Sequence, residues 1–104
     1  MDDIILVWTN VPDRASADRL AHALITQHAA ACVNILGECH SMYRWQGKIE
    51  AATEVPMMIK STRAAYPKLQ EIICAHHPYE LPEILAVPVT SGLPAYLQWV
   101  AQET

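Results

Sequence analysis

The hydrophobic positions along the chain predict short strands that alternate with amphipathic helices. An apolar run over residues 4–8 is long enough for a buried strand, and Asn10 and Pro12 then interrupt it. The next segment carries one apolar stripe, which predicts a helix packed by one face on a sheet. That stripe consists of Ala17, Leu20, Ala21, Leu24, Ile25 and His28. Asp13 or Ser16 can cap this helix by accepting a free backbone N–H.

The middle of the sequence predicts two long strands joined by a tight turn. Residues 32–45 and 48–61 both suit extended structure, and Gln46-Gly47 between them is a hairpin signal. Gly37 interrupts the first strand, as expected for a bulge or a bend. Pro56 cannot donate a hydrogen bond to a neighbouring strand, so we expect it at an edge or at a bulge.

The last part of the chain predicts a second helix, another strand and a short terminal helix. Ser61 or Thr62 is expected to cap the second helix, and Pro78 follows its end. Residues 83–89 are typical of a strand, and Pro94 opens the final helix. The inner stripe of the second helix consists of Tyr66, Leu69, Ile72, Ile73 and His76.

This order of elements predicts an α+β fold of the ferredoxin-like, split βαβ type: βαββαβ with an added C-terminal helix. Residues 1–104 are expected to form a single domain, because the length fits one and no linker or repeat is present. The hairpin would extend about 45 Å and overhang the helices of its own subunit. A neighbouring subunit is the simplest cover for its apolar residues. The composition agrees, since 52% of residues are hydrophobic and 17% charged.

Charge and cysteine content exclude several classes of protein. The net charge is −4, which argues against a nucleic-acid binder. No apolar run of 18 residues and no leader pattern is present, so we expect a cytoplasmic protein without membrane contact. Cys32, Cys39 and Cys74 form an odd set without a CxxC pair, and reduced thiols are expected.

Several segments together resemble the CutA divalent-cation-tolerance family. They are residues 31–35, 41–50, 59–61, 76–83 and 87–89, with Gly92 and residues 96–99. The most specific are the Tyr-Arg-Trp-Gln-Gly-Lys-Ile-Glu run at 43–50 and His-Pro-Tyr-Glu at 77–80. The resemblance implies a tight homotrimer with interlocking hairpins and a link to tolerance of divalent metals, copper above all. It implies no agreed molecular activity. Some members carry a cysteine implicated in copper binding where this chain has Thr9.

His76 and His77 are the leading metal-ligand candidates, because neutral imidazole suits copper(II) and other divalent cations. The alternative is structural: histidine is favoured at helix C-termini, and His76 falls on the inner stripe. Cys39 and His40 are expected on opposite faces of a strand, whereas His40 and Met42 share one face and suit copper(I). Packing in the core or at an interface is the alternative for Met42.

A second group of residues could line a ligand cleft between subunits. It consists of Tyr43, Trp45, Lys60, Tyr79, Glu80 and Trp99, with His77 beside them. Aromatic rings with a cation suit an anionic or planar ligand. Alternatively, the aromatics seal the trimer, and Lys60 extends along apolar surface or pairs with Glu54.

Nothing in the sequence indicates catalysis or an organic cofactor. The glycines at 37, 47 and 92 are too far apart for a phosphate loop, and no nucleophile, base and acid stand at recognisable spacing. The family resemblance implies a trimeric divalent-cation-tolerance protein with copper binding, and we expect that the protein is not an enzyme. The alternative is a trimeric small-molecule sensor or protein-binding adaptor that uses inter-subunit clefts without a physiological metal.

Overall fold

A computed structural model describes residues 3–104 of the chain. Five strands and three helices follow one another in it. They are β1 (Ile4–Val11), α1 (Arg14–Thr26), β2 (Cys32–Ile35), β3 (Cys39–Trp45), β4 (Lys48–Thr62), α2 (Tyr66–His76), β5 (Leu85–Pro88) and α3 (Pro94–Glu103).

The strands form one antiparallel sheet in the order β2-β4-β1-β5, and β3 extends it along the other half of β4. β2 and β3 are the two pieces of the predicted strand 32–45, so the ferredoxin-like order of elements is confirmed. Gln46 and Gly47 both have positive φ, 49° and 81°. Such a turn matches the twist of the two flanking strands and closes the long hairpin.

A bulge separates β2 from β3. Ile35 lies opposite Met57 and Cys39 opposite Glu54, so residues 36–38 face the two residues 55–56. The Leu36 N–H donates to the Pro56 carbonyl oxygen at 2.9 Å. The N–H and the C=O of one strand residue point to the same neighbouring strand. Because the Pro56 carbonyl oxygen points to Leu36, the missing N–H of Pro56 also faces the bulge. The prediction that Pro56 lies at a bulge is confirmed.

The core lies between the sheet and helices α1 and α2. The buried helix residues are Ala17, Leu20, Leu24, Leu69, Ile72 and Ile73. The sheet contributes alternate residues of its two central strands, which share one face because side chains alternate along a strand. These are Ile5, Val7 and Val11 on β1, with Val55, Met57 and Ile59 on β4.

Helix α1 begins and ends with hydrogen bonds that the sequence predicted only in part. The Asp13 carboxylate accepts from the Ser16 N–H at 2.7 Å, which holds the pKa of that carboxyl below its ordinary value. The helix ends at Thr26, and His28 follows it in a left-handed conformation with φ of 56°. Ile25 and His28 are exposed, so the predicted stripe was wrong at its end.

Helix α2 corrects two further predictions. The prediction that Ser61 or Thr62 caps α2 was wrong, because Ala65 is the N-cap residue and no described side chain caps it. Thr62 Oγ1 accepts from the Ala65 N–H at 3.2 Å in the preceding turn, and Ser61 donates to the Ala29 carbonyl oxygen at 2.6 Å. His76 is exposed and His77 is buried, the reverse of the predicted stripe. The helix stops at His76, and the extended backbone of His77 (ψ 130°) turns its ring inward.

The opposite face of the sheet and the β3–β4 ribbon carry much exposed apolar surface. β3 pairs with β4 alone, and Met42 and Ile49 on this ribbon are among the most exposed large hydrophobic residues. Leu85 and Val87 of β5 are also exposed, although α3 packs on part of that face through Val100. None of the helices within residues 3–104 combines the length and apolar character needed to cross a membrane.

Candidate functional site

His77 is held by hydrogen bonds at both ring nitrogens. Its Nε2 donates to the Asn10 carbonyl oxygen at 2.6 Å, and its Nδ1 accepts from the Tyr79 N–H at 3.1 Å. Because Nδ1 accepts from a backbone N–H, the proton must be on Nε2. The ring is 8% exposed and packs against the Tyr79 ring, with centroids 4.7 Å apart. His77 therefore fixes the chain that leaves α2 onto the end of β1.

His76 lies in different surroundings although it is the adjacent residue. It is exposed, and its Nδ1 donates to the Ile72 carbonyl oxygen at 2.9 Å, which leaves Nε2 unengaged. It lines a shallow depression between α1 and α2 together with Asp18 and His22. No group of three or more His, Cys, Asp or Glu side chains within residues 3–104 is arranged to hold a metal ion.

Thr9 lies inside the core rather than at the surface. Its side chain is fully buried and shares the helix-covered face of β1 with Val7 and Val11. Its Oγ1 has no hydrogen-bond partner among the described residues. The Thr9 side chain is therefore closed to solvent in this chain.

A cleft of about 940 Å³ opens between the β3–β4 ribbon and the segment that follows α2. Four of the six residues predicted for a ligand cleft line it, namely Tyr43, Trp45, Tyr79 and Glu80. Its other lining residues are Asn10, Ser41, Met42, Glu54, Pro78, Leu81, Pro82 and Glu83.

Lys60 and Trp99, the other two predicted cleft residues, lie elsewhere. Lys60 Nζ donates to the Asn34 side chain and lies 3.9 Å from Cys32 Sγ. Trp99 packs against Tyr96 on α3, with ring centroids 5.6 Å apart. The suggested pairing of Lys60 with Glu54 was wrong, because residues six apart on one strand share a face but lie about 20 Å from each other.

Glu54 is the buried charge of the cleft. The residue is 7% exposed, and its carboxylate lies beside the Tyr79 hydroxyl. Burial and the nearby Glu54 carboxylate together raise the pKa of Tyr79 to about 12, and burial has the larger effect. Sequence reasoning treated Glu54 only as an ion-pair partner. Its place in a strand of largely apolar and uncharged residues was the signal for a special role.

Asn10 fixes the wall of the cleft on the side of β1. Its Oδ1 accepts from Trp8 Nε1 at 3.2 Å, and its Nδ2 donates to Glu83 Oε1 at 3.4 Å. Its carbonyl oxygen accepts from His77. The sequence identified Asn10 only as the end of a strand. Its side chain and its carbonyl group join β1 to residues 77–83, which are distant in sequence, and no local pattern reveals such a contact.

The remaining metal-ligand candidates lie on the ribbon. His40 pairs with Thr53 and Met42 with Ala51, so both lie on one face and both are exposed. Cys39 lies on the other face, where its Sγ is 3.6 Å from Ser41 Oγ. The predicted separation of Cys39 from His40 is confirmed.

Residues 5–103 match the family described as "CutA1 divalent ion tolerance protein". The chain belongs to the CutA1 family. A "Divalent-cation tolerance protein CutA" from Thermus thermophilus is 40% identical over 104 residues, which cover 100% of this chain and 99% of that protein. "Protein CutA" from Mus musculus is 44% identical over 97 residues, 93% of this chain, and the chain spans 55% of its length.

Solved CutA structures share the fold closely. CutA1 from Oryza sativa superposes with a TM-score of 0.96 at 35% identity, over 99% of this chain and 94% of the other. CutA from Xylella fastidiosa gives a TM-score of 0.94 at 42% identity, over 97% of both chains. These matches confirm the ferredoxin-like fold and the CutA resemblance on which the functional expectation rested.

Proposed function

We propose that this protein acts in the tolerance of divalent cations. The observation that carries the proposal is the family match over residues 5–103, together with relatives named for divalent-cation tolerance. The proposed role is binding rather than catalysis. The proposed metal is a transient ligand rather than a resident cofactor, and within residues 3–104 of one chain no set of three side chains is arranged to hold a metal.

The proposed metal contact is weak binding of copper(II) or another divalent cation at His76 and His77. The unengaged Nε2 of His76 is open to solvent, whereas His77 can ligate only by giving up one of its two hydrogen bonds. His76 is therefore the primary ligand. His22 and Asp18 line the same depression, together with the cationic Arg19. Imidazole and carboxylate are both suitable donors for such ions.

Calorimetric titration with zinc(II), which has no redox chemistry with the thiols, tests this contact. His76→Ala should weaken binding by at least about tenfold, the loss of one charge-assisted ligand contact. His40→Ala, on the ribbon, is the matched control and should leave binding unchanged. If the His76→Ala/His77→Ala double variant binds as well as the parent, the site lies elsewhere, and the His40–Met42 face becomes the next candidate.

The proposed assembly is a cytoplasmic homotrimer. In the single chain the unsupported ribbon exposes Met42 and Ile49, while β5 exposes Leu85 and Val87. Apolar patches on this scale mark interaction surfaces. Light scattering in dilute buffer should give about three times the chain mass of 11.6 kDa. A folded monomer at micromolar concentration would refute the trimer.

A second candidate function is supported by the cleft. Its volume and its mixture of aromatic and carboxylate side chains suit a small organic molecule better than a bare ion. A sensor or adaptor that uses this cleft without a physiological metal is therefore the alternative. It would show unchanged metal tolerance when the protein is removed from its cells.

A further inference from the structure

We propose that the cleft between the β3–β4 ribbon and the 78–83 segment binds a small organic cation, recognised through a guanidinium group. This inference goes beyond the proposed function, because it requires no metal and uses none of the metal candidates. It rests on three features of the cleft: the sign of its charge, a buried carboxylate without a counter-ion, and the aromatic rings around it.

The charge of the cleft is negative. Its lining residues include Glu54, Glu80 and Glu83 and, within the described part of the chain, no lysine or arginine. Lys60, the cation that made an anionic ligand plausible from sequence, is bonded to Asn34 outside the cleft. The structure thus reverses the expected sign of the ligand, because carboxylates repel an anion and attract a cation.

Glu54 supplies the specific anchor. It is 7% exposed, the group beside it is the uncharged Tyr79 hydroxyl, and no lysine or arginine of residues 3–104 forms an ion pair with it. The ion pair found within residues 3–104 joins Arg63 to Asp3 at 3.2 Å, on the exposed surface. A buried carboxylate without a counter-ion is unfavourable unless a cation joins it. A ligand cation that reaches Glu54 therefore gains more than it would from an exposed carboxylate.

The aromatic residues favour a planar cation. Tyr43, Trp45 and Tyr79 line the same cleft as Glu54. A guanidinium group stacks on aromatic faces and presents a fork of N–H donors that matches a carboxylate. An ammonium group would make the charge contact but would use the flat faces less well.

A bare divalent cation fits this cleft poorly. Hard cations need six or more oxygen ligands converging at about 2.0–2.6 Å. The described residues contain no cluster of even three suitable side chains, and a volume of about 940 Å³ is that of a small-molecule site. The carboxylates of the cleft come from both of its sides, Glu54 from the ribbon and Glu80 and Glu83 from the 78–83 segment.

The test compares butylguanidinium with butylurea, which has nearly the same shape but no charge. Calorimetry is run on the full chain with a chelator present, so that the result is independent of metal binding and of the proposed function. Butylguanidinium should bind at least about tenfold more tightly, the value of a charge-assisted contact. A ratio below about threefold would overturn the proposal, and this measurement needs no variant.

Variants then locate the contact. Glu54→Gln keeps the shape and an acceptor for Tyr79 but removes the charge, so it should weaken butylguanidinium binding about tenfold or more. Glu71→Gln, on the exposed side of α2, changes the net charge equally and should have no effect. Equal binding by Glu54→Gln and the parent would overturn the proposal.

If Glu54→Gln fails to fold, the Glu80→Gln/Glu83→Gln variant replaces it, since both residues are exposed and line the cleft. Its butylguanidinium binding should weaken and become less dependent on salt. Unchanged binding and salt dependence would overturn the assignment to this cleft. Arg44 and Lys48 are the cations next to the turn of the β3–β4 ribbon. If the parent binds no butylguanidinium but the Arg44→Ala/Lys48→Ala variant does, the cleft is occupied by the ribbon tip of a second copy of the chain. That result would overturn the small-molecule ligand.

Discussion

Replacing His77 by alanine separates the structural role of this residue from a role in metal binding. The change removes the hydrogen bond to the Asn10 carbonyl oxygen and the acceptor for the Tyr79 N–H. Each hydrogen bond contributes about 1 kcal/mol net, and a buried group left without a partner costs about 1–3 kcal/mol. Water from the open cleft can reach the Tyr79 N–H, so losing that bond costs about 1 kcal/mol, whereas the Asn10 carbonyl oxygen is left unpaired and costs about 1–3 kcal/mol. Together the two terms give a loss of about 2–4 kcal/mol in the free energy of unfolding.

His76→Ala is the matched control, one residue away on the same element. His76 is exposed and makes one bond to the last turn of its own helix, so its loss should cost below about 1 kcal/mol. Urea unfolding of both variants, at one protein concentration because assembly contributes to stability, gives the comparison. Equal losses within about 0.5 kcal/mol would refute the assigned role of His77, because that margin covers ordinary surface substitutions.

Three further substitutions test other parts of the structure. Thr9→Val removes a buried hydroxyl that has no hydrogen-bond partner within residues 3–104, so it should raise the free energy of unfolding by about 1 kcal/mol or more. A lower free energy of unfolding in urea would show that the hydroxyl does form a hydrogen bond. Trp45 is 37% exposed in the single chain, and we expect a neighbouring subunit to cover its ring. Trp45→Ala should then lower the free energy of unfolding by about 3–5 kcal/mol per subunit, and a loss below about 1 kcal/mol would show that the ring stays solvated. Tyr79→Phe tests the raised pKa: the parent should lose stability as pH rises from about 10 to about 12, because the unfolded phenol ionises first, and the variant should lose less. Absorbance at alkaline pH should show one late-titrating tyrosine fewer, and an unchanged titration curve would contradict the assignment.

The fold was predictable because its determinants are local. Gly37 and Pro56 mark opposite sides of one bulge, and Gln46 and Gly47 adopt the conformations that a tight hairpin requires. The errors fall at the ends of helices. If the helix continued through both histidines, its period would bury His76. The helix instead ends at His76, and the extended backbone that follows buries His77. The pattern of apolar side chains predicts which face of a helix is buried but not the residue at which the helix ends.

The candidate site was predictable only in part because it is assembled from distant segments. Tyr43 and Tyr79 were identified as parts of specific motifs, and both line the cleft. Lys60 was grouped with them by chemistry, although the length of β4 places it far from Glu54. The role of Asn10 depends on its bond to Glu83, 73 residues away, and the role of Glu54 depends on its proximity to Tyr79 on the far side of α2. Such contacts leave no periodic signal.

The most direct test of the central claim is growth of the source organism without this protein in rising concentrations of copper(II). Divalent-cation tolerance predicts that the deletion strain stops growing at a lower copper concentration than its parent. The intact chain should restore growth, and the His76→Ala variant should restore it less completely. Identical growth of the deletion and parental strains across copper, zinc and cobalt would contradict the account and favour the sensor or adaptor.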